Sequence, residues 1–262
     1  MAIFSFTTLL IFVTMTLIFV IAMAIKDNSI VDIFYGLVFL VGCWGAAIHF
    51  GLSHQRQLLI LAVLTLWGCR LAIHLFLRKK GHGEDFRYAK WREDWGKTFV
   101  WRSYLQIFML QGAVILLIST PVLLVIRAPG GPLTLLDFLG ITIWLLGFLF
   151  EAIGDWQLLI FKRKPENKGR IMRYGIWQYT RHPNYFGEAT LWWGVFLIGL
   201  SAENGVYGII SPLLIAFLLL KVSGIPMLEK KYEGDPEFKA YRKKTNAFFP
   251  WFPKPEITIP EG

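Results

Sequence analysis

Long apolar runs separated by short charged segments form the pattern of this chain. A helix needs about 20 apolar residues to cross about 30 Å of hydrocarbon, and such windows recur along the whole sequence, the sixth of them being short. The pattern predicts an all-α, polytopic membrane protein that forms one integral membrane domain over residues 1–262. Its seven predicted spans lie at about 3–25, 31–50, 58–77, 103–126, 134–161, 188–201 and 205–222.

Composition supports a membrane protein. Hydrophobic residues make up 55% of the 262 positions and the mean hydropathy is +0.50, whereas soluble domains contain about 45–50% apolar residues. The first run has no basic segment before it and no small-residue cleavage site after it, so it predicts a span rather than a signal peptide. Cys43 and Cys69 lie inside apolar runs and provide neither a disulfide framework nor a metal cluster.

The basic residues are distributed unevenly between the loops. The chain carries a net charge of +9, but its cations lie between apolar spans, so we predict contact with membrane lipids and no binding of nucleic acid. The loops of one face hold 23 Lys and Arg residues, whereas the alternate loops hold only Arg56 and Arg127. The positive-inside rule then predicts an N-terminus outside and a cytoplasmic C-terminal tail over residues 223–262.

A strongly polar stretch, residues 175–188, adjoins the sixth span. Because proline lacks an N–H and disfavours α conformation in the residue before it, a helix is predicted to begin at Pro183 or Asn184. Arg181, His182 and Asn184 then surround a helix N-terminus, which suits a phosphate or a carboxylate. Alternatively, Arg181 and the aromatic residues of the stretch only anchor the loop to lipid headgroups.

Some charged residues lie within the predicted spans. Arg70 lies in the middle of the third span, with His74 four and Arg78 eight residues further on, so the three share one helical face. A charge at this depth costs at least ~2.5–3.5 kcal/mol and usually faces a polar cavity. We therefore favour a functional role for Arg70. The alternative is a structural ion pair with Asp32, Glu151 or Asp155.

The end of the fifth span places Glu151, Asp155 and Lys162 on one helical face. These residues line a ligand site or form a buried ion pair with Arg70 or Arg170.

Three further segments combine charged and aromatic residues. Residues 83–92 are predicted to form an interfacial helix or a lid, and residues 228–232 and 238–242 to form amphipathic helices that cap the cytoplasmic opening.

The motifs of the C-terminal half resemble those of the steroid 5α-reductase family, in particular its bacterial branch. They comprise Asp155 with Lys162 seven residues on, Arg170, and Arg-His-Pro-Asn-Tyr-Phe-Gly-Glu at 181–188, followed by Trp-Trp-Gly at 192–194. The Arg-His-Pro-Asn-Tyr core is also similar to that of the sterol C14-reductases. The resemblance is specific over about residues 150–250 and weaker elsewhere.

This resemblance implies seven helices around NADPH, which enters from the cytoplasm, in a multi-pass protein of a bacterial plasma membrane. The implied activity is hydride transfer to a carbon–carbon double bond of a lipophilic substrate that is steroid-, sterol- or isoprenoid-like and comes from the bilayer. Glu188 would accept a hydrogen bond from the nicotinamide amide. The implied cofactor-binding residues are Arg70, Arg78, Asp155, Lys162, Arg170, Arg181, His182, Asn184, Tyr185 and Glu188.

The sequence departs from the steroid-acting members at the groups that polarise the enone. Those members carry a Gln-Glu pair on the second helix and a Tyr one turn before the arginine of the third. Here Trp67 precedes Arg70 and the second span has no Gln-Glu pair, so a 4-ene-3-one steroid is not expected as the substrate. The catalytic acid is expected among Tyr35, Asp32 and His74, and His74 is favoured because histidine changes its charge near neutral pH.

A different class of enzyme shares part of this motif. Isoprenylcysteine carboxyl methyltransferases have a similar Arg-His-Pro-x-Tyr-x-Gly core and bind S-adenosylmethionine. NADPH carries several negative charges and needs many cations, whereas S-adenosylmethionine is net cationic. The abundance of Lys and Arg therefore favours the NADPH reductase, with the methyltransferase and a non-enzymatic membrane module as the alternatives.

Overall fold

The computed structural model describes residues 1–254, which consist of helices and loops without a strand. Residues 255–262, the end of the predicted tail, lie outside this part of the chain. Within residues 1–254, six helical runs are long and apolar enough to cross a membrane, which confirms the all-α class and a multi-pass protein. They are Ala2–Ile25, Ile30–Phe50, Gln55–Lys79, Phe86–Ile118, Leu135–Arg163 and Gly205–Lys231.

The sixth predicted span, 188–201, lies on a helix of 18 residues, Pro183–Leu200, whose first turns are polar. A seventh span and the orientation of the termini therefore stay predictions. The α-helices in chain order are α1 (Ala2–Ile25), α2 (Ile30–Phe50), α3 (Gln55–Lys79), α4 (Phe86–Trp95), α5 (Phe99–Arg102), α6 (Leu110–Ile118), α7 (Thr120–Arg127), α8 (Leu135–Arg163), α9 (Pro183–Leu200), α10 (Ile210–Phe217), α11 (Ile225–Lys231) and α12 (Pro236–Lys244).

The chain forms two compact units. Unit 1 comprises Met1–Ile141 and Val195–Ser211, and unit 2 comprises Thr142–Gly194 and residues 212–254. In unit 1, α2 and α3 approach each other closely at Gly36 and Gly68, where a Cβ atom on Gly36 would lie 2.6 Å from the Gly68 carbonyl oxygen. Only glycine permits this contact, because any side chain would push the two helices apart.

The fourth predicted span, 103–126, differs from the observed helix. The helical run begins at Phe86, where the Asp85 side chain caps α4 by accepting a hydrogen bond from the Arg87 N–H at 3.0 Å. It continues through a π-helical segment, Ser103–Met109, and turns at Ser119 before Pro121. Residues 86–92 of the charged stretch 83–92 thus belong to the same helical run as the apolar window.

The junction between α2 and α3 holds a buried ion pair. Arg56 in the first turn of α3 donates to both carboxylate oxygens of Asp137, at 2.8 and 2.9 Å, and to the Pro132 carbonyl at 2.7 Å. The N–H and hydroxyl of Thr134 donate to the same carboxylate at 2.6 and 3.0 Å. The Arg56 side chain is 5% exposed and that of Asp137 is fully buried. Arg56, which the sequence suggested as a loop cation, is therefore buried and paired with Asp137.

In unit 2, glycines bring α8 and α9 into contact. A Cβ atom on Gly147 would lie 2.6 Å from the Gly187 carbonyl oxygen, and one on Gly154 would lie 3.1 Å from the Asn184 nitrogen. The two amphipathic helices predicted after the last span are present as α11 and α12. Asp235 caps α12 by accepting from the Glu237 and Phe238 N–H groups at 2.8 and 3.2 Å.

Candidate functional site

The loop before α9 lies against the C-terminal half of α8. The Trp177 indole N–H donates to the Gly154 carbonyl at 3.1 Å, and the Ile176 N–H donates to the Gln157 side chain at 3.1 Å. Gly175 has a φ of +59°, a conformation that favours glycine, and a Cβ atom there would collide with the Gln157 amide. The chain then enters α9 at Pro183, which confirms the predicted helix start.

The contact between α8 and α9 brings two of the predicted site residues together. Asn184 in the first turn of α9 donates through its side-chain amide to the Asp155 carboxylate at 3.1 Å. Asp155 is buried, at 7% exposure, and Glu151 lies one turn earlier on α8 at 2%. Gly154 permits this pairing, because a Cβ atom there would lie 3.1 Å from the Asn184 nitrogen and 3.2 Å from Pro183 Cγ.

A charged cluster links the start of α9 to α11. The Glu229 carboxylate accepts hydrogen bonds from Arg181 Nε at 2.9 Å and Nη2 at 2.7 Å, and His182 Nε2 lies 3.1 Å from the same oxygen. Arg181 and His182 are 7% and 6% exposed. The His182 ring also stacks on Tyr185, with the ring centroids 5.4 Å apart. Because Arg181 also donates through Nη1 to the Thr245 carbonyl, its guanidinium is largely engaged by the protein.

The segment that follows α12 fixes the same loop in place. The Arg181 N–H donates to the Asn246 carbonyl and the Trp251 N–H to the Tyr179 carbonyl, both at 2.9 Å. Thr180 donates its hydroxyl to the Phe248 carbonyl at 2.9 Å. The Tyr241 hydroxyl donates to the Trp177 carbonyl, and burial raises the pKa of this hydroxyl. The loop that carries Arg181 and His182 is therefore held on both sides.

The other predicted residues of unit 2 are more open to solvent. Lys162 at the end of α8 and Arg170 in the following loop are exposed, and Tyr185 and Glu188 on α9 are half-buried. The Arg170 N–H donates to the Asn167 carbonyl at 3.0 Å, which fixes the backbone from which its side chain extends. The unit thus combines a buried carboxylate and a half-buried amide with exposed cations.

The predicted residues of unit 1 lie on α2 and α3. Arg70, His74 and Arg78 follow one another at four-residue spacing on α3, as predicted, with Arg78 exposed. The Tyr35 ring on α2 packs edge-on against Phe39, with the centroids 5.3 Å apart.

Asp32 accepts hydrogen bonds from two groups that the sequence did not indicate as its partners. The Tyr88 hydroxyl donates to one carboxylate oxygen at 2.6 Å and Arg87 Nη2 to the other at 2.9 Å. Both donors belong to α4. Asp32, one of the three candidates for the catalytic acid, therefore accepts hydrogen bonds from a charged and a polar side chain.

A polar network surrounds the turn between α1 and α2, near Asp32 in the chain. Lys79 bonds to the Asp27 carboxylate at 2.6 Å and to the Ser29 hydroxyl at 2.5 Å. Burial raises the pKa of Asp27, but the hydrogen bonds from Lys79 and Ser29 outweigh it, so the pKa is lowered overall. The Asn28 N–H donates to Glu84 at 2.8 Å. This network ties the end of α3 and the start of α4 to α2.

Sequence reasoning missed Glu229, the acceptor shared by Arg181 and His182. Its position in an amphipathic segment indicated a surface helix and no specific partner. Arg87 and Tyr88 were also missed as partners of Asp32, although residues 83–92 were singled out as charged and aromatic. In each case the partner lies more than 40 residues away in the sequence.

Several apolar, membrane-length helices and a buried polar cluster at the start of α9 define a polytopic integral membrane protein with a potential binding site. The chain belongs to the family described as "Protein of unknown function (DUF1295)", whose model matches residues 18–245. This is a steroid 5α-reductase-like family, as the motifs around Arg181 predicted. The assignment to a bacterial branch stays a prediction.

Similar curated proteins occur in fungi and mammals. An uncharacterized protein of Schizosaccharomyces pombe, C594.04c, is 25% identical over 238 residues, which cover 78% of this chain and 67% of the relative. The 3-oxo-5-alpha-steroid 4-dehydrogenase 1 of Mus musculus is 29% identical over 72 residues, 28% of each chain. That of Homo sapiens is 34% identical over 70 residues, 26% of this chain and 27% of the relative. The matched parts are thus about a quarter of these two dehydrogenases. No solved structure matches the chain.

Proposed function

We propose that this protein is a membrane-embedded, NADPH-dependent reductase that transfers a hydride to a carbon–carbon double bond of a lipophilic, steroid-, sterol- or isoprenoid-like substrate. Membership of a steroid 5α-reductase-like family supports this proposal, as do the names of the mouse and human relatives. The observation that carries it is the Asp155–Asn184 pair at the start of α9, because it presents a buried carboxylate and an amide beside a helix N-terminus.

The side chains of unit 2 fit a dinucleotide. The exposed Lys162 and Arg170 provide charge for phosphate groups. Asp155 and Asn184 provide an acceptor and a donor for ribose hydroxyls, and Glu188 provides an acceptor for the nicotinamide amide. Arg181 and His182, held by Glu229, shape the loop before α9, with Tyr185 stacked on His182. In unit 1, the resemblance to the reductases likewise implies Arg70 and Arg78 as cofactor contacts.

When bound, NADPH supplies a hydride to one carbon of the double bond and becomes NADP⁺. The protein must deliver a proton to the other carbon, so that the double bond becomes a single bond. We propose His74 as the proton donor, because Asp32 already accepts from Arg87 and Tyr88. Tyr35 is the remaining candidate for holding a polar group of the substrate.

We propose seven spans for the protein, with α9 as the sixth, an external N-terminus and a cytoplasmic C-terminus. The 23 cations on one set of loops against two on the other support this topology. A C-terminal reporter that is active only outside the cytoplasm should therefore be silent, and the same reporter after Met1 should be active. Activity of the C-terminal fusion would show that the orientation is the reverse of the one proposed. Residues 175–188 would then not face the cytoplasm.

The proposed cofactor is tested by titrating the purified protein with NADPH and with S-adenosylmethionine. We expect tighter binding of NADPH. Replacing Arg170 by Ala should weaken it by roughly 1.5–3 kcal/mol, because a charge-assisted contact to phosphate is lost. This loss corresponds to about a ten- to hundredfold lower affinity.

Lys168 provides the control for this titration. It is exposed in the same loop and is not a proposed contact, so Lys168→Ala should leave the affinity within about threefold of the wild type, as expected for a screened surface charge. Saturable binding of S-adenosylmethionine without binding of NADPH would overturn the reductase and favour a methyltransferase.

A further inference from the structure

An open groove of about 330 Å³ lies along the C-terminal end of α8. One wall is formed by Trp156, Ile160 and Phe161 of that helix, and the other by Met172 and Tyr174 of the following loop. Lys164 lines the end of the groove that follows the last turn of α8. Gln157 and Asn167 also line the groove, which is therefore mostly apolar and carries one cation at its end.

This groove is separate from the proposed cofactor site. Trp156 and Ile160 are four residues apart and lie on one side of α8, and Lys164 directly follows the last residue of that helix. Asp155 and Lys162 lie on roughly the opposite side at 3.6 residues per turn. A ligand in the groove would thus occupy a face of α8 that the proposed reductase chemistry does not use.

The residues in and around the groove are of the types found where a membrane span meets the lipid headgroups. Trp156 and Tyr174 are 60% and 59% exposed, and such aromatic rings are enriched where a span meets the lipid headgroups. Residues 162–173 contain six Lys and Arg residues and one acidic residue, Glu166. An occupant must therefore offer an apolar chain to the walls and a negative charge to the cationic end.

We propose that the groove binds one anionic phospholipid of the surrounding bilayer. Its acyl chain lies along Trp156 and Ile160, and its phosphate lies at Lys164. The apolar walls account for the chain, and Lys164, whose charge no acidic residue of the lining offsets, accounts for an anionic rather than a zwitterionic headgroup. This site goes beyond the proposed reductase function and does not depend on it.

The test uses the full-length protein in detergent and measures bound lipid by native mass spectrometry during titration with phosphatidylglycerol or phosphatidylcholine. We expect preferential retention of one phosphatidylglycerol. Lys164→Glu should lower its affinity roughly tenfold, because it replaces an attraction with a repulsion of similar size. Lys168→Glu makes the same charge change in the same loop outside the groove and should have a much smaller effect.

A second variant tests the apolar part without changing any charge. Met172→Trp adds volume to the wall and should lower the affinity for phosphatidylglycerol, while the thermal midpoint and the NADPH titration stay those of the wild type. Equal losses for Lys164→Glu and Lys168→Glu would overturn the proposal, since they would indicate diffuse attraction to a basic surface. Displacement of the lipid by glycerol 3-phosphate alone would also overturn it, because the acyl chain would then contribute nothing.

Discussion

Replacing Arg181 by Ala should lower the free energy of unfolding by about 3–5 kcal/mol, the usual cost of removing one partner from a buried ion pair. The side chains of Arg181 and Glu229 are only 7% and 14% exposed. Without the guanidinium, the largely buried Glu229 carboxylate keeps only His182 and the exposed Arg242, which lies 4.0 Å away, and the carbonyl of Thr245 loses its donor. The loss should therefore loosen both α11 and the C-terminal segment.

Unfolding in mixed detergent micelles measures this effect, and the exposed pair between Arg173 and Glu237 provides the control. That pair is 3.7 Å apart with side chains 47% and 34% exposed, so Arg173→Ala should cost no more than about 1 kcal/mol. The double variant Arg181→Ala, Glu229→Ala should recover part of the loss, because no unpaired carboxylate remains. A cost for Arg181→Ala no greater than that for Arg173→Ala would show that the cluster does not stabilise the fold.

The sequence predicted the helices well because an apolar span must have a minimum length. The predicted spans 3–25 and 31–50 agree with Ala2–Ile25 and Ile30–Phe50 within one residue at each end. The fourth predicted span, 103–126, differs from the helical run Phe86–Ile118 at both ends. The run includes the helix at residues 86–95, a segment that the sequence predicted separately as an interfacial helix or a lid. The run ends at a turn at Ser119, shortly before Pro121, which cannot donate a backbone hydrogen bond.

The candidate site was predictable only where it is local in sequence. Pro183 fixed the start of α9, and four-residue spacing placed Arg70 and His74 on one face of α3. The pairing of Arg181 with Glu229 joins residues 48 positions apart, and no periodic pattern encodes such a contact. The same limit applies to the C-terminal segment, where backbone groups of Asn246 and Trp251 bind the loop, because backbone hydrogen bonds leave no signature in residue identity.

Arg56 shows a further limit of charge patterns. It was interpreted as one of two loop cations on the less basic face, together with Arg127. The structure instead buries Arg56 against Asp137, which is 81 residues further on, whereas Arg127 is exposed. The count of loop charges treats these two arginines alike, although only Arg127 retains its charge at the surface.

Asp137→Ala should cost about 3–5 kcal/mol of unfolding free energy, because it leaves the Arg56 guanidinium buried without a counter-charge. Arg56 donates two hydrogen bonds to this carboxylate, and the Thr134 N–H and hydroxyl donate two more. The change therefore removes the carboxylate that accepts all four of these hydrogen bonds. By contrast, Arg127→Ala on an exposed residue should stay within about 0.5 kcal/mol of the wild type.

Replacing both partners separates the ion pair from the packing around it. The double variant Arg56→Met, Asp137→Leu removes both charges and keeps apolar volume, so it should be considerably more stable than Asp137→Ala alone. SDS-induced unfolding in mixed micelles provides the comparison, with NADPH binding measured on the same samples. If the double variant were as unstable as Asp137→Ala, the unpaired charge of Arg56 would not be the cause. The loss would then arise from Thr134, whose N–H would lack its acceptor in both variants, whereas its hydroxyl keeps the Ser201 hydroxyl as a partner at 2.9 Å.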